Sequence, residues 1–529
     1  MKKMKNNTNL VPTPSLAPMS LSESAGGTLP VWRASLRMVA VSVAGLVAAG
    51  LMTGLTGCAD MSGIHTQSTL RDASSVGIAA NATTPTIASQ LPVKAEWWRD
   101  FGDDQLNRLV AQALETSPNL KLAQARLARA QSVTEIARSA TGPQVNGQVD
   151  LTRQRYTENG AVPAPLAGAI LNSGTAQFTG SWELDFFGKY RAALDAALGS
   201  VNAAEADGQA ARVLLASNVV RTYFQLVRLN EQANVARRTL TQRQETLKLV
   251  QDRLTAGLDT RLELRQSEGG LPEARLQLET INEQMALARN ALGALIGQPT
   301  STATLVIPPL SAIRPVAVAD NIPADLLGRR ADITAARWRV EASLKDVDNA
   351  KTQFYPSINL VAFAGFSSIG LGRLLDSGSQ QWGVGPALRL PIFDTGRLRA
   401  NLRGKTADLD AAVESYNGAI IDAVRDVADQ VASSQAIVRQ QTEQRAAQSS
   451  SESAYEIAVQ RYRAGLGTYL NVLTAETSVL AQRRTAVDLA ARALDTEVAL
   501  IRALGGGYTG GPALPDSAAP AATPAVALR

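Results

Sequence analysis

The chain has 529 residues, a formal net charge of +5, 19% charged and 5% aromatic side chains, one cysteine and one histidine. A single Cys closes no internal disulfide, and one Cys with one His assembles neither a metal site nor a Cys–His nucleophile pair, so no catalytic residue, metal or cofactor is expected. Few aromatics with recurrent Ala, Gln, Leu and Arg point to long helices packed through narrow seams rather than to a globular enzyme core.

The first element is an export signal. Lys2, Lys3, Lys5, Arg33 and Arg37 precede an uncharged run over residues 38–57, "MVAVSVAGLVAAGLMTGLTG", the order of a basic region followed by an apolar one. Glu23 is the one carboxylate there, so four of the five net positive charges leave with a cleaved signal. The remaining chain is near neutral, which argues against a nucleic-acid partner. The run then ends on Leu55-Thr56-Gly57-Cys58, which resembles a bacterial lipobox, where the chain is cut before the Cys and the new terminus is acylated. A run of about 20 residues also suits a retained anchor, but its Gly and Ala content and its Cys ending favour cleavage. Residues 1–57 are thus read as a lipoprotein signal peptide and 58–90 as a lipidated linker, with lipid on Cys58. Ala59 after the Cys resembles the pattern sent to the outer membrane. His65 is assigned no role, and Trp97 and Trp98 of "EWWRDFGD" are expected to dock this arm on the protein.

Downstream the chain repeats itself. "RLTAGLDTRLELRQSE" (253–268) and "RYRAGLGTYLNVLTAE" (461–476) match at Arg, Ala-Gly-Leu, Thr, Leu and Glu with an offset of 208, and the same offset joins Gly188-Lys189 to Gly396-Arg397. "GPQVNGQ" and "YPSINLV" align on Pro143 and Pro356 with an offset of 213. Two copies of one unit follow, over 91–300 and 325–505, joined by a Pro-rich belt at 301–324 and trailed by a tail, 506–529, that reads as disordered.

Each copy predicts two strands, then a long helix and its return. After Pro143 and in "FTGSWELDFF" apolar and polar residues alternate, with Glu183 and Asp185 on the wet side. The second copy offers Ile358, Leu360, Ala362, Ala364 and Phe366, then Val384 to Leu390, although Val361 and Phe363 spoil its alternation. No proline occurs from Gly188 to Gly257 or from Gly396 to Gly465, which predicts helices of roughly 100 Å. The first return is expected in two stacked pieces, 258–297 and 325–355; the second, 466–504, would be completed by 105–139. Four strands cannot close in lipid, because open edges leave backbone groups unpaired, whereas three chains supply twelve strands around water-lined carboxylates Glu183 and Asp185. With no nucleophile beside them, these two form a wetted wall rather than an acid–base pair.

"PADLLGRRADITAAR" (323–337), "FYPSINL", "SWELDFFGKYR" and the two Ala-Gly-Leu tips together resemble the TolC-type outer-membrane efflux proteins, in their lipidated, OprM-like or NodT-like branch, over about residues 90–505. Gly328 and Ala331 depart from the Arg and Pro more usual there. The resemblance implies an α+β membrane protein, a trimeric 12-stranded β-barrel of four strands per chain continued by a long periplasmic α-helical barrel. It implies a homotrimeric exit duct of a tripartite efflux system, conducting small molecules such as drugs passively from an inner-membrane pump, expected to be proton-driven, and a periplasmic adaptor. A type I protein secretion duct is the alternative. A periplasmic coiled-coil adaptor lipoprotein would instead show one hairpin flanked by soluble β-domains. By the same resemblance the gate lies at the far tips, with Leu470 as the narrowest ring beside Tyr469, Asn471 and Thr474. Relatives often carry carboxylates at the places of Asn471 and Thr474, for which Asp259 and Glu263 are candidates to compensate. Ala256, Gly257, Leu258, Ala464, Gly465 and Leu466 would meet the adaptor. Ordinary coiled-coil packing is the competing reading of Leu470.

Overall fold

The computed structural model describes residues 60–71, 93–298, 302, 305–316, 326–508 and 510. Cys58, the signal peptide, much of the linker and the tail beyond residue 510 lie outside the described residues. In chain order the main elements are α1 (Asp104–Thr116), α2 (Pro118–Ser139), β1 (Gln144–Arg155), β2 (Ile170–Leu184), α3 (Lys189–Thr255) and α4 (Arg261–Leu295). A one-turn helix, Leu326–Arg329, then precedes α5 (Ala331–Thr352), β3 (Ser357–Ile369), β4 (Gln380–Arg389), α6 (Thr395–Arg463) and α7 (Tyr469–Ala503). The two proline-free intervals become α3 and α6, of 67 and 69 residues, each about 100 Å long.

The short helices stack end to end, but not in the pairing the sequence suggested. Thr116 at the end of α1 donates its hydroxyl to the Ile296 carbonyl, 2.7 Å away at the end of α4, and α2 starts two residues later with proline at its first position. The α4 column therefore continues into α2. Arg330 in turn donates to the Ala503 carbonyl at 3.3 Å, and a Cβ on Gly505 would lie 2.0 Å from the Arg329 carbonyl oxygen. The α7 column thus continues into α5, so each return is completed by a short helix of its own copy and not, as the sequence suggested, by one of the other copy. The reason is the path of the belt. After Gly297, which ends α4 at φ +70, the chain crosses α3 sideways, with Ile313 buried, Arg314 N–H bonded to the Phe101 carbonyl (3.2 Å) and Val316 N–H bonded to Glu497 Oε2 (3.1 Å). Helix α3 packs against α1, α2, α4, α5 and α7, and α6 packs against α5 and α7.

The main apolar core lies at this crossing. Trp97, Trp98 and Phe101 are buried there, and Phe101 meets the edge of Phe224 of α3 at 5.0 Å. Asp103 caps α1 by accepting from the Gln105 and Leu106 amides at 2.8 and 3.1 Å, and its second oxygen accepts from the Tyr223 hydroxyl at 2.6 Å. Burial, then the adjoining carboxylate, push the Tyr223 phenol far up. The arm is thereby fixed at a shared point of cap and core.

The strands form one antiparallel sheet in the order β1-β2-β3-β4. Its register aligns apolar residues with apolar ones across strands: Val145 opposes Gly180, Gly180 opposes Ala362 and Ala362 opposes Val384. The other face carries Asn146, Thr179, Ser181 and Gln381, so one face is greasy and one is wet. Strand β2 ends at Leu184, earlier than the alternation suggested. Glu183 remains on the wet face, paired with Lys189 at 3.0 Å and accepting from the Tyr190 hydroxyl at 2.9 Å. Asp185 lies beyond the strand and accepts from the Arg191 amide at 2.9 Å. The chain turns into α3 there, and an unpaired first-turn amide attracts the carboxylate.

Glycine is required at one sheet position, since a Cβ on Gly365 would sit 2.2 Å from the Ala176 carbonyl oxygen and 2.4 Å from Gln177 Cα. Gly365→Val is expected to cost about 3 kcal/mol or more and to remove the heat-resistant folded species from a gel-shift assay. Gly372→Ala, where an added Cβ meets nothing within 4 Å, should leave that species intact.

Candidate functional site at the helical tips

Both long helices end in the same way. The Leu258 amide bonds the Arg253 carbonyl (2.9 Å) and Gly257 that of Leu254 (3.0 Å), while Leu466 bonds Arg461 (2.8 Å) and Gly465 bonds Tyr462 (3.0 Å). This is the Schellman arrangement, and its left-handed residue is glycine in both cases, at φ +71 and +76. The return helix α4 then starts with a capping box between Thr260 and Glu263. The Thr260 hydroxyl, together with backbone amides, holds the Glu263 carboxyl below its usual range.

Between the tips lies a cross-hairpin latch. The Arg253 guanidinium pairs with Asp259 at 3.0 Å, donates to the Tyr462 carbonyl at 2.8 Å and lies 4.5 Å from the Tyr462 ring centroid. The Tyr462 hydroxyl donates to the same Asp259 carboxylate. Asp259 thus holds a cation of its own hairpin and a phenol of the other, with the Arg253 and Asp259 side chains only 11% and 7% exposed. Burial, then the Asp259 carboxylate, push the Tyr462 phenol up, and the hydrogen bond to Asp259 pushes the Arg253 guanidinium up. Under the latch Val250, Tyr462, Tyr469 and Val472 form a small apolar cluster. One layer further in, Arg243 of α3 bridges Glu273 of α4 (2.8 Å) and Glu476 of α7 (3.3 Å). Burial pushes the Glu476 carboxyl up, against the pull of Arg243.

The expected gate residues separate into two groups. Tyr469 is only 6% exposed and packs 6.0 Å from Tyr462. Leu470 is 62% exposed, and Asn471 and Thr474 are exposed beside it on the first turns of α7. Asp259 and Glu263 are engaged within the chain, in the latch and the helix cap. Ala256, Gly257, Leu258, Ala464, Gly465 and Leu466 are all exposed, and an added Cβ on Gly257 or Gly465 would meet nothing within 4 Å. The sequence reading missed Arg253 and Tyr462. Their signal was divergence between the copies: at the 208-residue offset Tyr462 replaces Leu254, Gly467 replaces Asp259 and Tyr469 replaces Arg261.

A membrane sheet with one greasy face, one wet face and two open edges, carried on helical columns about 100 Å long with latched tips, defines a subunit of a membrane duct. The chain belongs to the outer membrane efflux protein family, whose model matches residues 109–298 and 322–506, and it is an outer-membrane efflux channel with the TolC-like fold of that family. It is 31% identical over 470 residues to the putative multidrug resistance outer membrane protein MdtQ of Escherichia coli strain K12, covering 87% of this chain and 97% of that one. It is 36% identical over 360 residues to the fusaric acid resistance protein FusA of Burkholderia cepacia, covering 67% of each. Among solved structures, the outer membrane protein VceC of Vibrio cholerae superposes with a TM-score of 0.75 at 37% identity, over 79% of this chain and all of that one.

Tyr462→Phe removes a buried hydrogen bond to a carboxylate, a change of about tenfold in a local opening equilibrium. Amide exchange is expected to accelerate by that order in peptides from both tips, 250–264 and 455–470. Acceleration confined to 455–470 would mean that the latch does not couple the hairpins.

Proposed function

We propose that this chain is the exit duct of a tripartite drug efflux system, a homotrimer that passes small molecules from a proton-driven inner-membrane pump and a periplasmic adaptor to the cell exterior. The observation that carries this reading is the two-faced, open-edged sheet continuous with the long columns. Three such sheets complete a closed twelve-stranded barrel, and their wet faces, Glu183 included, line its water. Relatives named for multidrug and fusaric acid resistance favour small molecules over secreted proteins as cargo.

Closure in this proposal lies at the tips. Leu470, with Asn471 and Thr474, faces the duct axis, and Tyr469 and Asp259 hold the tips together through the latch, with Glu263 capping the helix. The exposed Ala256-Gly257-Leu258 and Ala464-Gly465-Leu466 turns are the surfaces an adaptor would meet, because glycine there lets a partner backbone approach closely. Leu470→Ser should raise conductance in planar bilayers while trimer yield stays normal. Unchanged conductance in an intact trimer would move the constriction elsewhere, and loss of the trimer would favour the packing role of Leu470.

The lipid on Cys58 belongs to the same proposal. The arm that follows it lies along the membrane-proximal part of α6, where Arg399 donates to the Ser62 carbonyl (3.0 Å), Asp410 accepts from the Gln67 and Ser68 amides (3.0 and 3.1 Å) and Asn417 accepts from the Arg71 amide (2.9 Å). An arm held at the barrel end of a helix suits a tether to the inner leaflet of the outer membrane. Native mass measurement in mild detergent should find three chains, each beginning at an acylated Cys58. Retention of residues 38–57 would contradict lipidation, and a folded inserted monomer would contradict the open-edge argument.

A further inference from the structure

Apart from Leu171, Ile369 and Ala387 towards the strand ends, the apolar residues on the wet face of the sheet are Val361 and Phe363 of β3, and both stand opposite glycines of β4, Gly385 and Gly383. A Cβ on Gly383 would lie 2.7 Å from Cε1 and 2.8 Å from Cζ of the Phe363 ring. The ring therefore occupies the space a β4 side chain would otherwise fill, lying across the glycine backbone rather than standing clear of it. It still leaves 39% of the residue exposed, on a face whose nearby side chains, Gln177 and Gln381, bond each other at 2.8 Å. An aromatic laid over a strand glycine stabilises the pair, and that role accounts for the covered side of the ring. The uncovered side is an apolar surface, midway along β3, with Thr179, Gln177 and Gln381 as polar neighbours on the same face.

We propose that Phe363, flanked by Val361, is a specificity-determining residue of the duct. The three copies form an apolar collar in the barrel and offer aromatic, amphipathic substrates a transient contact on the way out. This inference rests on the reading of the wet face as the duct wall. The contact is of the kind conduction tolerates, since a passing molecule must be held weakly enough to leave. One aromatic contact lengthens residence by about two- to tenfold, enough to favour flat aromatic molecules over aliphatic ones of equal charge without blocking the path.

The test compares current blocks by ethidium, a planar aromatic cation, with those by tetraethylammonium, an aliphatic cation of the same charge, in trimers held in planar bilayers. Phe363→Gln keeps a side chain whose aliphatic stem spans Gly383 but removes the aromatic face. Ethidium residence should fall by about two- to tenfold, with tetraethylammonium residence and open conductance unchanged. Unchanged ethidium residence in a conducting Phe363→Gln trimer would overturn the collar. Should that variant not assemble, Phe363→Leu covers the glycine without a ring, and ethidium residence retained at the wild-type value would likewise overturn it. Absence of conductance from both the wild type and Leu470→Ser would overturn the duct reading instead.

Discussion

The constraint on which this molecule depends is the backbone hydrogen bond in lipid. Strands β1 and β4 are the ends of a four-stranded sheet, and each exposes a row of N–H and C=O groups that lipid cannot satisfy, at several kcal/mol per group. One chain is therefore an incomplete object. The same incompleteness continues down the columns: Leu122 and Ile136 on α2, Leu276 and Leu287 on α4, and Ile421, Val438 and Ile457 on α6 all remain exposed in the single chain. The helical edges echo the strand edges, so sheet and columns call for the same neighbours.

Each copy completes its own return column, and the two copies meet along α3, which packs against α5 and α7 of the second. Because each return is completed within its own copy, the belt has to leave the α4 column to reach α5 on the α7 column. By crossing α3 it closes the core around Phe101, Phe224 and Tyr223 and ties Val316 to Glu497 of the second copy. Helix α3 thereby packs against α1, α2 and α4 of its own copy and α5 and α7 of the other.

At the tips the copies have parted in chemistry while keeping one backbone. Both turns are the same Schellman motif on glycine. Only the first has the carboxylate Asp259 and only the second has the phenol Tyr462, so the latch is a contact between unlike hairpins. Arg253 compensates the buried charge of Asp259, without which such a carboxylate would be costly to enclose. A contact held by a few directional bonds over a small apolar cluster can be released without unfolding the columns.

The strand pattern, the proline-free intervals, the Ala-Gly-Leu turns and the internal repeat are local or periodic features, and from them the sequence alone determined two strand pairs, two long helices, the need for further chains and the position of the tips. Backbone geometry is written in such patterns because side-chain period and turn chemistry act within a few residues. What it left open were contacts between segments far apart in the chain. The pairing of α4 with α2 and of α7 with α5, the meeting of Asp259 with Tyr462 across 203 positions, the exit of Asp185 from its strand and the fit of Phe363 over Gly383 were decided only by the tertiary structure. Each depends on which surfaces come within a hydrogen bond or a van der Waals radius of one another, and periodicity carries no information about that distance.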